Sequence, residues 1–304
     1  VEATINPNRR IGVEVELVLP ILGLGENLDV QRLVASVLTN QGLAAVARCY
    51  SRQPVPAGHL FCVEHDTSLR DESRYTGIRW AKIELKTAPL TWDRLQTVLP
   101  PALEVLRYLG GRCNVSTGFH VHHCAAEIRE QPEFARSLQH FFWAYHPVLY
   151  GLVAPSRRQT VYCRPPMRSE ASLFDDATRY EHLRASLQQC NRYAGLNLTN
   201  LADPDRLTVE WRLHGGTTSW EKVAGWILAT QRWTEHCLAR TVQLREQPVT
   251  NSRRGLNALL IATGLKPNSR IYGKVEKELR QVGRYLLRRW RQLNPSVDLK
   301  KLVA

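Results

Sequence analysis

With 304 residues, 43% of them hydrophobic, the chain can bury one large core or two small ones and has the composition of a globular protein. The polar start VEATINPNRR and the longest apolar run, Val15 to Gly25 with Glu16 and Pro20 inside it, fit neither a signal peptide nor a membrane span; seven cysteines without a CxxC pair fit neither a disulfide framework nor a zinc knuckle. A cytoplasmic protein with reduced thiols is expected, and its formal net charge of +13 is uneven, because residues 251–304 carry 13 Lys plus Arg against 3 Asp plus Glu.

The first predicted element is the strand IGVEVEL. Successive side chains of a strand alternate, so Ile11, Val13, Val15 and Leu17 share one face while Glu14 and Glu16 share the other. A Gly-rich turn (Gly23, Gly25) leads to Val30, Leu33, Val34, Val37 and Leu38 at helical spacing, with Asp29 as the expected cap. Arg52 to Gly58, with Pro54 and Pro56, reads as a loop. FCVEHDTSL follows as a short strand with Glu64, Asp66 and Ser68 alternating with Val63 and His65, although turn chemistry accounts for Asp66 and Ser68 equally well.

In WAKIELK, Lys82, Glu84 and Lys86 oppose Ala81, Ile83 and Leu85. A helix from Trp92 to Leu109, divided at Pro100 and Pro101, should stop at Gly110 and Gly111. NVSTGFHVHH, Asn114 to His123, is read as a strand with His120 and His122 on one face and Phe119, Val121 and His123 on the other. Pro132 to Leu152 suits a buried helix whose His140 and His146 are structural. Pro155 to Pro166, with Arg157, Arg158 and Arg164, keeps no regular period and reads as a mobile loop or a substrate-contacting lid. A helix over Glu181 to Cys190 precedes NRYAGLNL and the strand TVEWRLH. There Thr208, Glu210, Arg212 and His214 oppose Val209, Trp211 and Leu213, and Gly215 and Gly216 close the strand. A long helix from Trp220 to Leu244, a helix ending at Gly264, a turn at Lys266, Pro267 and Asn268, and a helix from Gly273 to Leu293 complete the chain. In the last, Val275, Leu279, Val282, Leu286, Trp290 and Leu293 form the apolar stripe, and Lys277, Arg280, Arg284, Arg288 and Arg291 lie on other faces.

Four strands thus pair an apolar face with a polar one rich in carboxylates, imidazoles and cations. Hard divalent cations such as Mg²⁺ take carboxylate oxygens, accept an imidazole, and are completed by water and nucleotide phosphates. Glu14, Glu16, Glu84, His120, His122 and Glu210 suit such ions, leaving Arg212 for charge on a transferred phosphoryl group. Lys82 and Lys86 either add to that role or neutralise neighbouring carboxylates. Zinc is disfavoured because no thiolate accompanies the histidines. The chain contains no GxxxxGK[ST], GxGxxG or GxSxG motif, so any use of ATP proceeds without a Gly-rich phosphate loop.

The order GVEVEL, EHDTSL, IELKTAPL, STGFHVHH, NRYAGLNL, TVEWRLHGGT resembles the amidoligase family, from Ile11 to Trp226. That family lies among the carboxylate–amine ligases of the glutamine synthetase and glutamate–cysteine ligase superfamily. The resemblance implies an α+β fold in which a curved, mainly antiparallel sheet carries the site on its polar concave face and helices cover the other. Residues 1–250 would form this catalytic domain, with a basic helical extension over 251–304 packed on it. It implies metal ligation by Glu14, Glu16, Glu84, His120 and Glu210, with His122 on the phosphate side and Arg212 on the γ-phosphate. Lys86, Arg192 and Asn197 are assigned to nucleotide contact, and Asp66 to substrate. Glutamine synthetase has two glutamates where this chain offers only Glu84, which leaves the number of ions open.

The implied reaction is formation of an amide bond, dependent on ATP and Mg²⁺ (Mn²⁺ as an alternative), through an acyl phosphate. Asp66, Glu64 or a histidine would serve as the base. Small-molecule or peptide carboxylates and amines are the expected substrates, with no membrane partner. Two alternatives remain at this stage. One is a nucleic-acid-binding or interaction protein acting through the basic C-terminal helices, which could also dock an acidic macromolecular acceptor. The other is a phosphotransferase or metal-dependent hydrolase on the same scaffold.

Overall fold

Alternation shapes the first strand: β1 (Ile11–Pro20) buries Ile11, Val13, Val15 and Leu17 on one face and presents Glu14 and Glu16 on the other. The structure, a computed structural model, describes residues 5–21, 27–51, 53–71, 77–267 and 277–295. Gly23, Gly25, Arg52, Asn268, Gly273 and Val275, named above in turns, a loop and a helix, lie outside them. The chain divides into two compact units, Pro7–His122 with His214–Ala224, and Val1–Asn6 with His123–Leu213 and Gly225–Ala304. Strand pairing is mainly antiparallel and the architecture is α+β.

In the first unit the strands β2 (Ala45–Ala47), β3 (Phe61–His65), β4 (Trp80–Thr87), β1 and β5 (Gly118–Cys124, whose last two residues belong to the other unit) lie in the order β2-β3-β4-β1-β5. β2 pairs with β3 in parallel; β3 with β4 and β4 with β1 are antiparallel. The register sets Glu16 opposite Glu84 and Glu84 opposite Glu64, a row of three carboxylates across three strands. Directly opposed like charges destabilise a sheet, so this row needs compensating cations.

The sequence and the structure differ in three places here. Asp29 sits inside the first turn of α1 (Asn27–Asn40) rather than at its cap, where its charge still favours the helix N-terminus. The helix α2 (Trp92–Tyr108) runs through Pro100 and Pro101 unbroken. Each proline costs about 3 kcal/mol in a helix interior, but eight buried residues, from Trp92 through Leu99 to Leu106, at about 1.5–3 kcal/mol for each large side chain, outweigh that cost. Gly110, at φ +83°, then ends the helix as expected, with Gly110 N–H donating to Arg107 O and Gly111 N–H to Leu106 O. Finally, β5 starts at Gly118 rather than Asn114. Asn114 Oδ1 accepts from the Ser116 amide (2.9 Å) and hydroxyl (2.7 Å), folding residues 114–117 into a turn.

The second unit contains α3 (Glu133–Gly151), α4 (Tyr180–Leu187), the antiparallel pair β6 (Leu196–Asn197) and β7 (Thr208–Gly215), most of α5 (Trp220–Leu238), α6 (Arg253–Ala262) and α7 (Lys277–Leu293). α5 stops six residues before the expected Leu244 because the following backbone is claimed by α3 side chains: Val242 O meets His140 Nδ1 at 2.8 Å and Arg245 O accepts Trp143 Nε1 at 2.8 Å. His140 also meets Asp175 Oδ1 at 2.9 Å, and His146 meets Trp143 O at 2.9 Å, which are structural roles.

Pro155 to Pro166 is not an irregular loop. It holds a helical turn, Pro155–Arg158, and a 3₁₀ turn, Val161–Cys163, and Arg158 donates to Val153 O and Leu293 O. α6 is capped by Ser252, whose hydroxyl accepts from Gly255 N–H at 3.0 Å. α7 buries Leu279, Val282, Leu286 and Trp290 and exposes Lys277, Arg280, Arg284, Arg288 and Arg291. Bonds from Arg289 Nε to Leu152 O (2.6 Å) and from Asn294 Nδ2 to Gly151 O (2.7 Å) tie its end to the end of α3.

Candidate active site

In the first unit the polar faces of β1, β3, β4 and β5 gather acids and imidazoles. Glu14 Oε2 meets His120 Nδ1 at 3.1 Å, and Glu14 Oε1 lies 3.4 Å from His122 Nε2. Glu16 accepts a hydrogen bond from Gly118 N–H with Oε2, and its Oε1 lies 3.5 Å from His120 Nε2. A Cβ on Gly118 would stand 2.6 Å from His120 Nε2, so glycine is what lets this imidazole and carboxylate meet at the start of β5. One donor atom each from Glu14, Glu84 and His120 lies within 4.8 Å of the others, and the same holds for Glu16, Asp66 and Glu84.

Beside these groups Lys86 Nζ bridges Glu64 Oε2 (2.9 Å) and Glu84 Oε2 (3.0 Å). Glu64, at 0% exposure, is fully engaged: Arg48 Nε donates to it at 2.6 Å and the Ser51 amide at 3.0 Å. Asp66 lies past the end of β3 and its Oδ1 accepts from Ser68 N–H at 2.8 Å, the turn chemistry that the sequence left open.

These carboxylates crowd one another. Burial, followed by the charge of Glu14, pushes the Glu84 carboxyl well above the usual carboxylate range; Glu16 and Asp66 add to this and Lys86 opposes it. Burial pushes Glu14 up as well, but the charge on His122, the hydrogen bonds from His120 and His122 and the charge of Lys86 outweigh it and hold Glu14 well below that range. Burial disfavours the charge on Lys86, yet Glu84, Glu14 and Glu64 raise its pKa. One carboxylate keeps its charge at its neighbour's expense, so the cluster is short of positive charge. Carboxylate oxygens with an imidazole are the donor set of a hard divalent cation, and they fit Mg²⁺ or Mn²⁺.

The second unit holds Glu210, Arg212 and Asn197 on β7 and β6. Glu210 is buried; its Oε2 accepts from Asn197 Nδ2 at 2.7 Å, and its Oε1 accepts from Arg212 Nη1. Asn197 is fixed in turn, its Oδ1 accepting from the Thr199 hydroxyl at 2.8 Å and amide at 3.0 Å. Arg212 Nε donates to Tyr162 O at 3.4 Å, and its guanidinium lies 5.9 Å from the Tyr193 ring centre. Arg192 stacks over that same ring at 5.2 Å, close to neither Glu210 nor Asn197 in any bond it makes among the described residues.

Within the first unit, then, Glu14, Glu16, Glu84, His120, His122, Lys86 and Asp66 meet, and within the second Glu210, Arg212 and Asn197 do. Sequence reasoning missed Arg48 as the partner of Glu64, Gly118 as the cradle for His120, and Arg157, whose Nη2 donates to Arg212 O at 2.8 Å. The glycine before FHVHH was a usable signal. Arg48 and Arg157 carried none, because their roles depend on chain segments 16 and 55 residues away.

A family model described as "Putative amidoligase enzyme" matches residues 7–234. No curated protein matches the chain's sequence. Among solved structures, the crystal structure of the complex between prokaryotic ubiquitin-like protein Pup and its ligase PafA is similar at 11% identity and a TM-score of 0.39, over 97% of this chain and 65% of that one. The chain therefore spans just under two thirds of the length of the chain it is compared with. Because the family match covers most of the sequence, this chain belongs to the amidoligase family.

Proposed function

We infer that the protein is an ATP- and Mg²⁺-dependent carboxylate–amine ligase that forms its amide through an acyl phosphate, on a sheet of the glutamine-synthetase-like kind with its polar face inward. The observation that carries this reading is the convergence of Glu14, Glu84 and His120, and of Glu16, Asp66 and Glu84, each within 4.8 Å, in a member of the amidoligase family. Family membership favours this enzyme over a nucleic-acid-binding protein.

A carboxylate does not react with an amine until one of its oxygens becomes a leaving group, and transfer of a phosphoryl group from ATP achieves that. When bound, the divalent cation would offset the repulsion between the γ-phosphate and the attacking carboxylate. Glu14, Glu16, Glu84 and His120 would hold cations on the first unit; Glu210, the remaining candidate ligand, lies on β7 of the second. Arg212, kept in place by Glu210 and Tyr162 O, would neutralise charge on the transferred phosphoryl group. Lys86 would serve chiefly to neutralise Glu64 and Glu84, with nucleotide contact secondary. Arg192 and Asn197 would act at the nucleotide, Asn197 by orienting Glu210.

The amine must lose a proton as it attacks the acyl phosphate. Glu64 is excluded as base because both its oxygens are occupied and buried, and His120 because both ring nitrogens face carboxylates. Asp66 and His122 remain for that step. The substrates would be small-molecule or peptide carboxylates and amines, with the basic helices from residue 251 available to an acidic acceptor.

The test is ATP-to-ADP release with Mg²⁺ across paired carboxylate and amine pools, for the wild type, Glu16→Gln and Glu210→Gln. Both substitutions are expected to abolish turnover while leaving thermal stability largely intact. Turnover that persists in both would overturn the ligand assignment.

A further inference from the structure

We propose that Arg157 is a positioning residue for Arg212, and that its own uncompensated charge strengthens the grip of the Arg212 region on a polyphosphate. The inference rests on the nucleotide reading above.

Arg157 is 2% exposed, and its Nη2 donates to the backbone carbonyl of Arg212 at 2.8 Å. Its Nε has no hydrogen-bond partner, and among the described residues no carboxylate lies within ion-pair distance of it. Its neighbours are treated differently: Arg164 pairs with Glu170, and Arg212 with Glu210. Arg157 also faces the Cys163 thiol and the Tyr150 hydroxyl; burial raises the pKa of both, and the Arg157 charge, with a hydrogen bond to Cys163, draws them only partway back.

A guanidinium buried without an anion is among the most costly groups a fold can keep. Capping one strand carbonyl does not require it, since a neutral amide would donate the same hydrogen bond. The charge is therefore the property that needs a purpose, and the carbonyl that Arg157 caps belongs to the very arginine assigned to the γ-phosphate. At an effective dielectric of about 20 and a separation of about 8 Å, a unit charge changes the affinity of an anion by more than about tenfold. Arg157 also fixes the backbone from which Arg212 reaches Tyr162 O, so the same side chain aims Arg212 and adds to its field.

Two substitutions separate charge from scaffold. Arg157→Gln removes the charge and shortens the side chain so that its amide ends where Nε now lies; Cys163→Asp leaves Arg157 and its bond to Arg212 O in place and sets a carboxylate beside it, and beside Arg212 as well. Calorimetric titration of the full chain with Mg²⁺–ATP and with inorganic triphosphate is compared with the thermal midpoint of each ligand-free protein. We expect both variants to bind both ligands at least about tenfold more weakly, with the midpoint of Cys163→Asp at or above that of the wild type. Affinity within twofold of the wild type in either folded variant overturns the proposal, as does a lowered midpoint of Cys163→Asp with unchanged affinity. If Arg157→Gln does not fold, Arg157→Met, neutral and closer in length to the wild-type side chain, takes its place. A wild type that binds neither ligand would instead overturn the nucleotide reading, a result distinct from equal binding by wild type and variants.

Discussion

The carboxylate face of β1 and β4 and the Arg212 region of β7 are out of electrical balance in opposite senses. In the first, Glu14, Glu16, Glu84 and Asp66 crowd together, and Lys86 is shared with the already satisfied Glu64, so that the Glu84 carboxyl is driven well up by burial and by its neighbours. In the second, Arg157 is buried without a carboxylate beside Arg212. One region is short of a cation and the other short of an anion. A fold kept only for stability would have paired these charges within each region. Under the proposed function, a divalent cation answers the first imbalance and a polyphosphate the second.

The largest expected effect comes from neutralising the acidic region. Glu84→Gln should lower kcat/KM by about 10³-fold or more, because several kcal/mol of cation-dependent stabilisation vanish. It should also leave the ligand-free melting temperature unchanged or raised, since burial and the neighbouring carboxylates already disfavour a charge there; a clear fall in melting temperature would mean that Glu84 is a structural partner of Lys86. Next, on the basic side, Arg212→Lys keeps the charge but loses the planar fork that donates to both Glu210 and Tyr162 O. Turnover should fall by about 10²-fold with little change in folding, measured as ADP release beside thermal denaturation. Wild-type turnover in this variant would remove Arg212 from the reaction.

A pH series probes the cation-rich unit without mutating its site. Burial, reinforced by the charges of Arg232 and Arg240, lowers the pKa of His236 from 6.5 to about 4, so it folds neutral. The unfolded chain binds its proton near pH 6.5 and the folded one only near 4, so stability is complete above pH 6.5 and falls as pH drops towards 4. The loss attributable to His236 is on the order of 3 kcal/mol, read from urea midpoints. His236→Asn should flatten that slope; an unchanged slope would show that His236 is not the group responsible. The smallest effect expected is that of Gly118→Ala, whose Cβ would press on His120 Nε2 at 2.6 Å and on Glu16 Oε2 at 3.1 Å. Divalent-cation affinity should drop by about tenfold as two ligands are displaced, without loss of the fold. Unchanged affinity would place the cation elsewhere.

The sequence made the faces legible and the pairings illegible. Period-two alternation in IGVEVEL and WAKIELK sets which side chains share a face, and that is a local property of the chain. The row Glu16, Glu84, Glu64 depends on the offset between strands 68 and 20 residues apart, which no local pattern carries. Asp66 was ambiguous because its carboxylate satisfies a turn amide as readily as it extends a polar face. The break expected at Pro100 failed because a local rule met a buried stripe of larger total energy. Arg157 was hidden in a basic, proline-containing stretch whose order comes from bonds to Arg212, Gly151 and Leu293, all made after the chain has folded.

Binding of Mn²⁺ to the full chain, followed by electron paramagnetic resonance as free ion lost on titration, addresses the acidic cluster most directly. The wild type should take up at least one ion per chain. Glu84→Gln and Glu14→Gln should abolish that uptake, whereas Arg157→Gln should leave it intact. Absence of uptake by the wild type, or equal uptake by the two glutamate variants, would contradict the assignment of these carboxylates to a cation.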